Sequence, residues 1–524
     1  MTELEELKSN HRVVYCKIDV VEETDSGFKT QRSYDGHVIS GNYSINADSD
    51  VRRTCNLTIC LDNPDVNFSE SDLYNRCLRV SVGYYSVKNQ SIHYYSMGIF
   101  VFDKETFTYD VQTNELSLSM SDMITLLDVD HRGAMVGNLE REIRAIDPIT
   151  GERLSHEQLV LKDMVINLLK DYGLKNYRIS DIGVYGKVDQ DNYKWDELPY
   201  NLDWSCGSAI LDVLKNIIGL YPIYEMFFDV EGNLIIQQIP VTDEDQVILN
   251  SNDVADLVIK ETVNRSIYDV KNVIEVWGKE FNVDKQRFAD GIMDVSGAVY
   301  NVHFDNYTET GYANDMQVAI KVNANNTSDI TYLNINNLGA KPIYDKNGTN
   351  LMNRYLSSGK LQKDYTYVFK YSTNIQGFYC LGAYQVHAVA VLVSDNSIDR
   401  LPEYKKKYRT DNIEFVVDKE SEYTIDKIGE IPKIFHGDKI ANLDSQYIAL
   451  NYAIQKLNQL SRRTTSLELE MLSVPFLDVN QKIQYKPHNE NVVKTYITKS
   501  ISGDLVGGTM NVSLMEFYPT LGID

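Results

Sequence analysis

A mainly β fold with α+β parts is the class the sequence predicts, and three observations predict it. Apolar and polar residues alternate with period two over the first ~130 residues; a helical period takes over between about 150 and 220; the alternation returns beyond about 465. Composition agrees, because 36 tyrosines against 11 prolines, with frequent Asn, Thr and Val, suit half-buried sheet surfaces and large contact areas.

The first elements read as six or so short strands. Val14, Cys16, Ile18 and Val20 share a face, as do Cys55, Leu57, Ile59 and Leu61, then Leu78, Val80, Val82 and Tyr84. Met97, Ile99 and Val101 follow, then Phe107 and Tyr109, then Leu116, Leu118 and Met120. Strands with one apolar face must close on themselves or pair into layers, so a small barrel is expected here. Ser121 is placed to cap a short helix through Met123, Ile124 and Leu127.

From about 150 the period changes. Ser155 and Gln158 form a capping-box pattern, and Val160, Leu161, Met164, Val165, Leu168 and Leu169 make a helical stripe ending near Gly173. A second helix is predicted over 208–220, with Leu211, Leu214, Ile217 and Ile218 on one side. The run 224–228, a turn through Asp229, Glu231, Gly232 and Asn233, and the run 234–238 read as a hairpin, completing an α/β module.

Strands are predicted at 270–277, 365–372 and 384–393, with an Asn347-Gly348 hairpin turn among them. The run KKKYR at 405–409 reads as a solvated loop, too isolated for an electrostatic footprint. A helix over 442–462 carries Ile448, Ala449, Ala453, Ile454, Leu457 and Leu460. Alternation then resumes at Leu467, Leu469 and Met471, at Ile483 and Tyr485, over 496–501, and at Met510, Val512 and Leu514. The chain thus closes on a small all-β unit similar in size and pattern to the first.

The charge excludes some functions. With 51 Lys+Arg against 75 Asp+Glu, the formal net charge of −24 over 524 residues argues against a basic nucleic-acid reader. No run approaches the ~18 apolar residues of a membrane span, and the start MTELEELKSNHR lacks the apolar core of a secretory signal. Synthesis as a soluble cytoplasmic chain without a membrane anchor is expected. The six cysteines, at 16, 55, 60, 77, 206 and 380, are too sparse for a disulfide scaffold.

Chemistry is sparse as well. GxSxG, HExxH, Walker A and GxGxxG patterns are lacking, so no catalytic, cofactor-binding or metal-ligating residue is assigned, and no enzyme activity or cofactor is expected. Cys55 and Cys60, at an odd offset on a strand, point to opposite faces rather than to one zinc. Asp128-Val-Asp130-His-Arg132-Gly133 starts like a calcium loop, but its fifth and twelfth positions are Arg132 and Leu139, so a plain turn is expected. His387, within an apolar run, reads as a core residue.

Three stretches together resemble the tail hub and baseplate hub proteins of tailed bacteriophages and related contractile injection systems. The first is the arginine-led SDVRRTCNLTICLDN (49–63) with the segment 98–128; the second is 204–240, with its Phe-Asp-x-x-Gly turn; the third is IGEIPKIFHGDKI (428–440), the helix after it, and the segments 474–485 and 496–519. Their order and spacing, rather than any one motif, carry the likeness, over roughly two thirds of the chain.

The resemblance implies two small hub-type β-barrels, one at 1–128 and one at 251–280 with 438–524 and its helix. It also implies an α/β module at 129–250 and an inserted β-rich domain at 281–437. In that family two barrels per chain in a homotrimer make six similar barrels, which adapt a sixfold tail tube to threefold tip components around a DNA passage. The implied location is the virion tail. Implied partners are a tail tube or distal tail protein above, a spike, fibre or tip protein below, and the tape measure protein, with DNA passing through without specific binding. An acidic passage would repel phosphates and limit sticking, although −24 also serves solubility alone. The alternative is a host-receptor or carbohydrate-binding tail-tip protein using the 281–437 insert, which exposed aromatic platforms there would favour.

Overall fold

The computed structural model describes residues 4, 7–8, 13–35, 38–61, 77–86, 89–141, 161–182, 202–266, 270–280, 288–289, 293–305, 310–345, 355–356, 358–361, 363, 365–383, 385–395, 398–408, 410–443, 446–462 and 464–519. The chain is mainly β with α+β parts, as its periodicity predicts. Its first seven strands are β1 (Val14–Thr24), β2 (Gly27–Asp35), β3 (Val38–Asn46), β4 (Arg53–Cys60), β5 (Cys77–Ser86), β6 (Ser91–Asp110) and β7 (Glu115–Asp122). Alternation works as expected in β4, where Cys55, Leu57 and Ile59 are buried while Thr54 and Asn56 are exposed.

Three local expectations change here. The predicted strands at 97–101 and 107–109 are one long strand, β6. β2 and β3 escape the apolar pattern because β2 carries only Phe28 and Tyr34, at its two ends, among polar residues, and β3 buries only Tyr43 and Ile45. The 3-10 helix Met123–Leu127 is capped by Asp122, not Ser121: the buried carboxylate accepts from Ile124 N at 2.9 Å, while Ser121 lies on the opposite strand face.

The α/β module contains β8 (Leu139–Arg141), α1 (Leu161–Tyr172), β9 (Tyr177–Ile179), β10 (Leu202–Trp204), α2 (Ile210–Ile218), β11 (Tyr224–Phe228) and β12 (Leu234–Gln238). α1 buries Leu161, Met164, Val165, Leu168 and Leu169. The Ser155–Gln158 capping box and Val160 lie outside the described residues. α2 is shorter than its predicted 208–220, because Ala209 stays extended in a bridge to Ala134 and the helix ends at Gly219. β11 and β12 form the predicted hairpin, with β9 parallel to β12.

β13 (Val247–Leu249), α3 (Ser251–Leu257), β14 (Val258–Ser266) and β15 (Val273–Glu280) follow. Next come β16 (Phe288–Ala289), β17 (Met293–Ser296), β18 (Val299–Val302), β19 (Gln317–Lys321), β20 (Tyr332–Ile335), β21 (Lys341–Asp345), β22 (Thr366–Ser372) and β23 (Gly377–Ala383), which make one eight-stranded sheet. The Asn347-Gly348 turn lies outside the described residues. β24 (Gln385–Val393), α4 (Leu401–Tyr408), β25 (Ile413–Val417), α5 (Ile425–Ile428), β26 (Pro432–His436) and α6 (Gln446–Leu460) come next. β25, β24, β15 and β26 form a four-stranded sheet on which α6 packs.

The 405–409 run, expected as a loop, begins inside α4, with Arg409 outside the described residues. Lysines in a last helical turn complement its dipole, and Lys407 pairs with Glu430.

The final strands are β27 (Thr464–Leu472), β28 (Lys482–Tyr485), β29 (Lys494–Asp504) and β30 (Thr509–Glu516). They correct the expected architecture of two separate barrels. Both terminal units belong to a single 13-stranded sheet, ordered β14-β27-β30-β29-β3-β4-β7-β6-β5-β1-β2, with β13 and β28 beside it. Among the described residues no sheet closes into a barrel.

The reason lies in β29. One of its edges pairs with β30; the other is divided between β28, over Lys494–Ile497, and β3, over Ser500–Asp504. An edge already used by β3 cannot close the C-terminal unit upon itself. One apolar core accordingly spans both ends of the chain, joining Ile18, Leu57 and Val80 to Leu469, Val512 and Leu514.

Candidate functional site

The seam where β29 meets β3 presents an outer face built from strand register. Three rows of outward side chains cross it: Asn511, Ser502, Ser44, Thr54 and Ser121; Asp504, Asn42, Asn56 and Ser119; and Ser40, Thr58, Ser117 and Thr108. They line a concavity of about 710 Å³ in which Asp504 is the one charged lining residue and no Lys or Arg takes part. Asn56 Nδ2 donates to Asn42 Oδ1 at 3.2 Å, and the hydroxyls of Thr58 and Ser117 are 3.2 Å apart. Such a surface wets well and offers donors and acceptors, yet carries no cation to hold a polyanion.

Behind this face two successive arginines lock three parts of the chain together. Arg53 stands at an inward position of β4, in line with Cys55, Leu57 and Ile59. Its guanidinium donates to the carbonyl of Phe228, at the end of β11, and to the Asp478 carboxylate. Its backbone N–H donates to Asp122 Oδ2 at 3.0 Å. Arg52, also buried, donates to Glu225 of β11 and lies 3.7 Å over the Phe227 ring. Asn480 Nδ2 completes the cluster by donating to Glu225 Oε2 at 2.7 Å. Burial pushes the Asp122 carboxyl up against the pull of its backbone hydrogen bonds and of both arginines.

The Asp229–Asn233 turn forms a second lock. Asp229 Oδ1 accepts from Glu231 N at 3.0 Å and Asn233 N at 2.8 Å, so the turn is rigid. Gly232 has φ +86°, and a Cβ there would lie 2.5 Å from the Phe28 ring and 2.9 Å from Ile99. Ser96 Oγ donates to Val230 O at 2.8 Å, and Arg79 reaches Glu231 at 3.3 Å. The hairpin tip is thereby seated between β2 and β6.

The remaining candidates fall where elementary geometry puts them. Cys55 is buried and Cys60 half-buried on β4, at an odd offset, and burial raises the Cys55 thiol well above its usual value. The Asp128 segment is a turn in which Gly133 N donates to Asp128 O at 2.8 Å. His387 is buried in β24, stacked 3.6 Å on Trp277, with Nε2 3.5 Å from a Glu275 oxygen. Among the described residues no three or more His, Cys, Asp or Glu gather as a metal set, and no helix is long and apolar enough to cross a membrane.

Sequence reasoning read the Gly232 turn directly as a hairpin turn, but reached the arginine-led strand only as part of a resemblance. A direct signal was available: a charged residue on the apolar face of an alternating strand has to be paired.

Residues 420–521 match a family described as a domain of unknown function, DUF5048. No curated protein matches the chain. Among solved structures it is similar to the tail protein from Neisseria meningitidis MC58, at TM-score 0.45 and 7% identity, covering 98% of this chain and 99% of that one. A 43 kDa tail protein of prophage MuSo2 from Shewanella oneidensis gives TM-score 0.40 and 9% identity over 96% and 98%. The prophage tail protein gp18 from Listeria monocytogenes EGD-e gives 0.39 and 7% over 96% and 94%.

Proposed function

We propose that this chain is a structural virion protein, a tail or baseplate hub whose three copies surround the DNA passage. Each copy supplies its two terminal units, so a trimer supplies six, enough to seat a sixfold tube above and threefold tip components below. One observation carries the reading: β29 pairs with β3, so the two ends of the chain make one sheet, and the concavity on its outer face at the seam is lined by no Lys or Arg. In the assembly this face lines the passage. A wall whose concavity holds no Lys or Arg lets phosphates slide past that level, because nothing there releases their counterions.

The other parts take roles around that sheet. The α/β module, held by Arg52, Arg53 and the Gly232 turn, fixes the outer profile of the ring. Within 281–437 the eight-stranded sheet β16–β23 is the elaboration, while β24, β25 and β26 join β15 in one sheet. Tube or distal tail protein, tape measure and tip protein are the contacts of such a ring, and the virion tail is its location.

A reconstruction of the tail tip within intact particles tests this. The expected density is a threefold collar with Asn42, Asn56 and Ser502 toward the axis. A collar with that face turned outward, or a single copy per tail, overturns the reading.

A further inference from the structure

Lysines from four separate elements surround the β3–β4 turn. Lys215, in the last turn of α2, pairs with Asp50 at 3.1 Å, and Lys499, at the bulge of β29, pairs with Asp48 at 3.4 Å. Two more stand behind them. Lys439, in the 3-10 turn Asp438–Asn442, packs so closely on Gly219 that a Cβ there would lie 2.2 Å from its Nζ. Lys456 of α6 is half-buried, with Nζ 5.8 Å from the centre of the Tyr452 ring. It donates to Gln459 Oε1 at 2.9 Å, while Gln459 Nε2 donates to Pro222 O at 3.1 Å. α6 is thereby tied to the stretch 219–222 on which Lys439 rests.

Lys456 differs from the outer pair. Lys215 and Lys499 each face a carboxylate, whereas the partner of Lys456 is a neutral amide, and among the described residues no carboxylate pairs with it. Burial first, then Lys439, oppose its charge; Asp48 favours it and Lys499 opposes it, so the ammonium is brought down to about 8. An appreciable share is therefore free amine near neutral pH, which an ordinary lysine is not. A desolvated amine beside other cations is an activated nucleophile. Burial lowers the Lys439 ammonium too, against the pull of Asp50 and Asp438, so an anion formed between the two would relieve both.

From this cluster we infer that Lys456 is a carbamylation site, whose amine combines reversibly with carbon dioxide to give a carbamate held by the Lys439 and Lys499 ammonium groups. The cluster selects the reagent by size and charge, and the product by charge. A small neutral electrophile reaches a half-buried amine among like charges more readily than a bulky or cationic one. The Nζ lone pair attacks the carbon of carbon dioxide; the N–C bond forms as one C–O π pair moves onto oxygen, and an N–H proton leaves to water. Counted from the ammonium, two protons leave and the charge at this position passes from +1 to −1. The remaining N–H can still donate to Gln459 Oε1. Repulsion from Lys439 and Lys499 becomes attraction. A non-covalently bound anion would instead keep Lys456 as an ammonium, which separates the two cases.

The inference does not depend on the hub reading, and its test leaves that reading untouched. The intact chain at pH 8 is supplied with 13C-labelled bicarbonate as the source of carbon dioxide and followed by 13C NMR. The adduct is then trapped by ethylation with a trialkyloxonium salt and located by peptide mass spectrometry. Apart from the N-terminal amine, one carbamate signal is expected, saturating with bicarbonate and mapping to Lys456. Lys456→Met should lose it, and Lys439→Met should weaken it roughly fivefold by removing the cation beside the carbamate. If Lys439→Met folds poorly, Lys499→Met makes the same comparison. The unfolding midpoint of wild type should rise in bicarbonate relative to chloride of equal ionic strength, and that of Lys456→Met should not. No adduct on Lys456 at saturating bicarbonate, or an adduct that the neighbouring substitutions leave unchanged, overturns the site. So does a rise in midpoint without the adduct, which marks a bound anion only.

Discussion

Arg53 occupies a position that the alternation of β4 reserves for an apolar side chain, and its cost of burial is met by two partners from distant segments. Removing it leaves Asp478 and the Phe228 carbonyl without their donor. For Arg53→Ala we expect a loss of about 3 kcal/mol in unfolding free energy, read from urea denaturation. Arg53→Lys should lose nearly as much, since one ammonium cannot make both bonds of the guanidinium fork. A loss below ~0.5 kcal/mol in both would show that the cluster does not hold the parts together.

Lys456 gives a second test at this scale, through pH. Burial, repulsion from Lys439 and then from Lys499, partly offset by Asp48, bring its ammonium from 10.5 down to about 8. The folded value lies below the unfolded one, so the unfolded chain binds more protons between pH 8 and 10.5, and stability rises with pH across that window. Lys456→Met should stabilise the chain at pH 7 by on the order of 1 to 3 kcal/mol and flatten that rise. Unfolding midpoints of both proteins at pH 7.5 and 10 decide it; parallel shifts would exclude Lys456 as the source.

Among the elements, the β11–β12 turn separates backbone strain from packing. Gly232 and Gly297 both have positive φ, but a Cβ on Gly232 meets Phe28 and Ile99, whereas Gly297 has nothing within 4 Å. Gly297→Ala should cost about 1 kcal/mol, from backbone conformation alone. Gly232→Ala should cost roughly 2 to 4 kcal/mol, because the hairpin tip must also lift from β2 and β6. Equal losses in chemical denaturation would mean that the turn is not docked.

The same scale explains what could be read in advance. β4, β5, β7, β27 and β30 were legible because each buries alternate apolar residues, and α1 and α2 because their stripes repeat at helical spacing. β3 was not, since its outward Ser40, Asn42 and Ser44 outnumber its buried Tyr43 and Ile45. The fusion of the terminal units was hidden for another reason. Ser500 pairs with Asn46 across the length of the chain, and periodicity within a segment carries no information about so remote a partner. Arg53 stood out by its position in β4, but Asp478, 425 residues away, and Glu225, 173 residues from Arg52, had no local mark.

At the scale of the whole molecule, the net charge of −24 is not gathered on the seam, whose concavity holds one acidic residue and no basic one. If that face lines the passage, exclusion of cations matters more than density of acid. Adding a cation then has a definite consequence. Asn56→Lys places one ammonium per copy at the centre of the face, hence three at one level of a trimeric ring. Phosphates passing that level would release counterions, and the retarding equilibrium would steepen in salt by roughly three ion equivalents. Particles assembled with Asn56→Lys should release DNA on the order of tenfold more slowly than wild type near 50 mM salt. They should recover toward the wild-type rate as rising salt shortens the Debye length. Asn56→Gln, which keeps the amide, is the control and should behave as wild type throughout. The measurement is triggered DNA release followed by dye fluorescence at several salt concentrations, with tail content checked by mass spectrometry. Wild-type release by fully assembled Asn56→Lys particles at every salt would place this face away from the DNA.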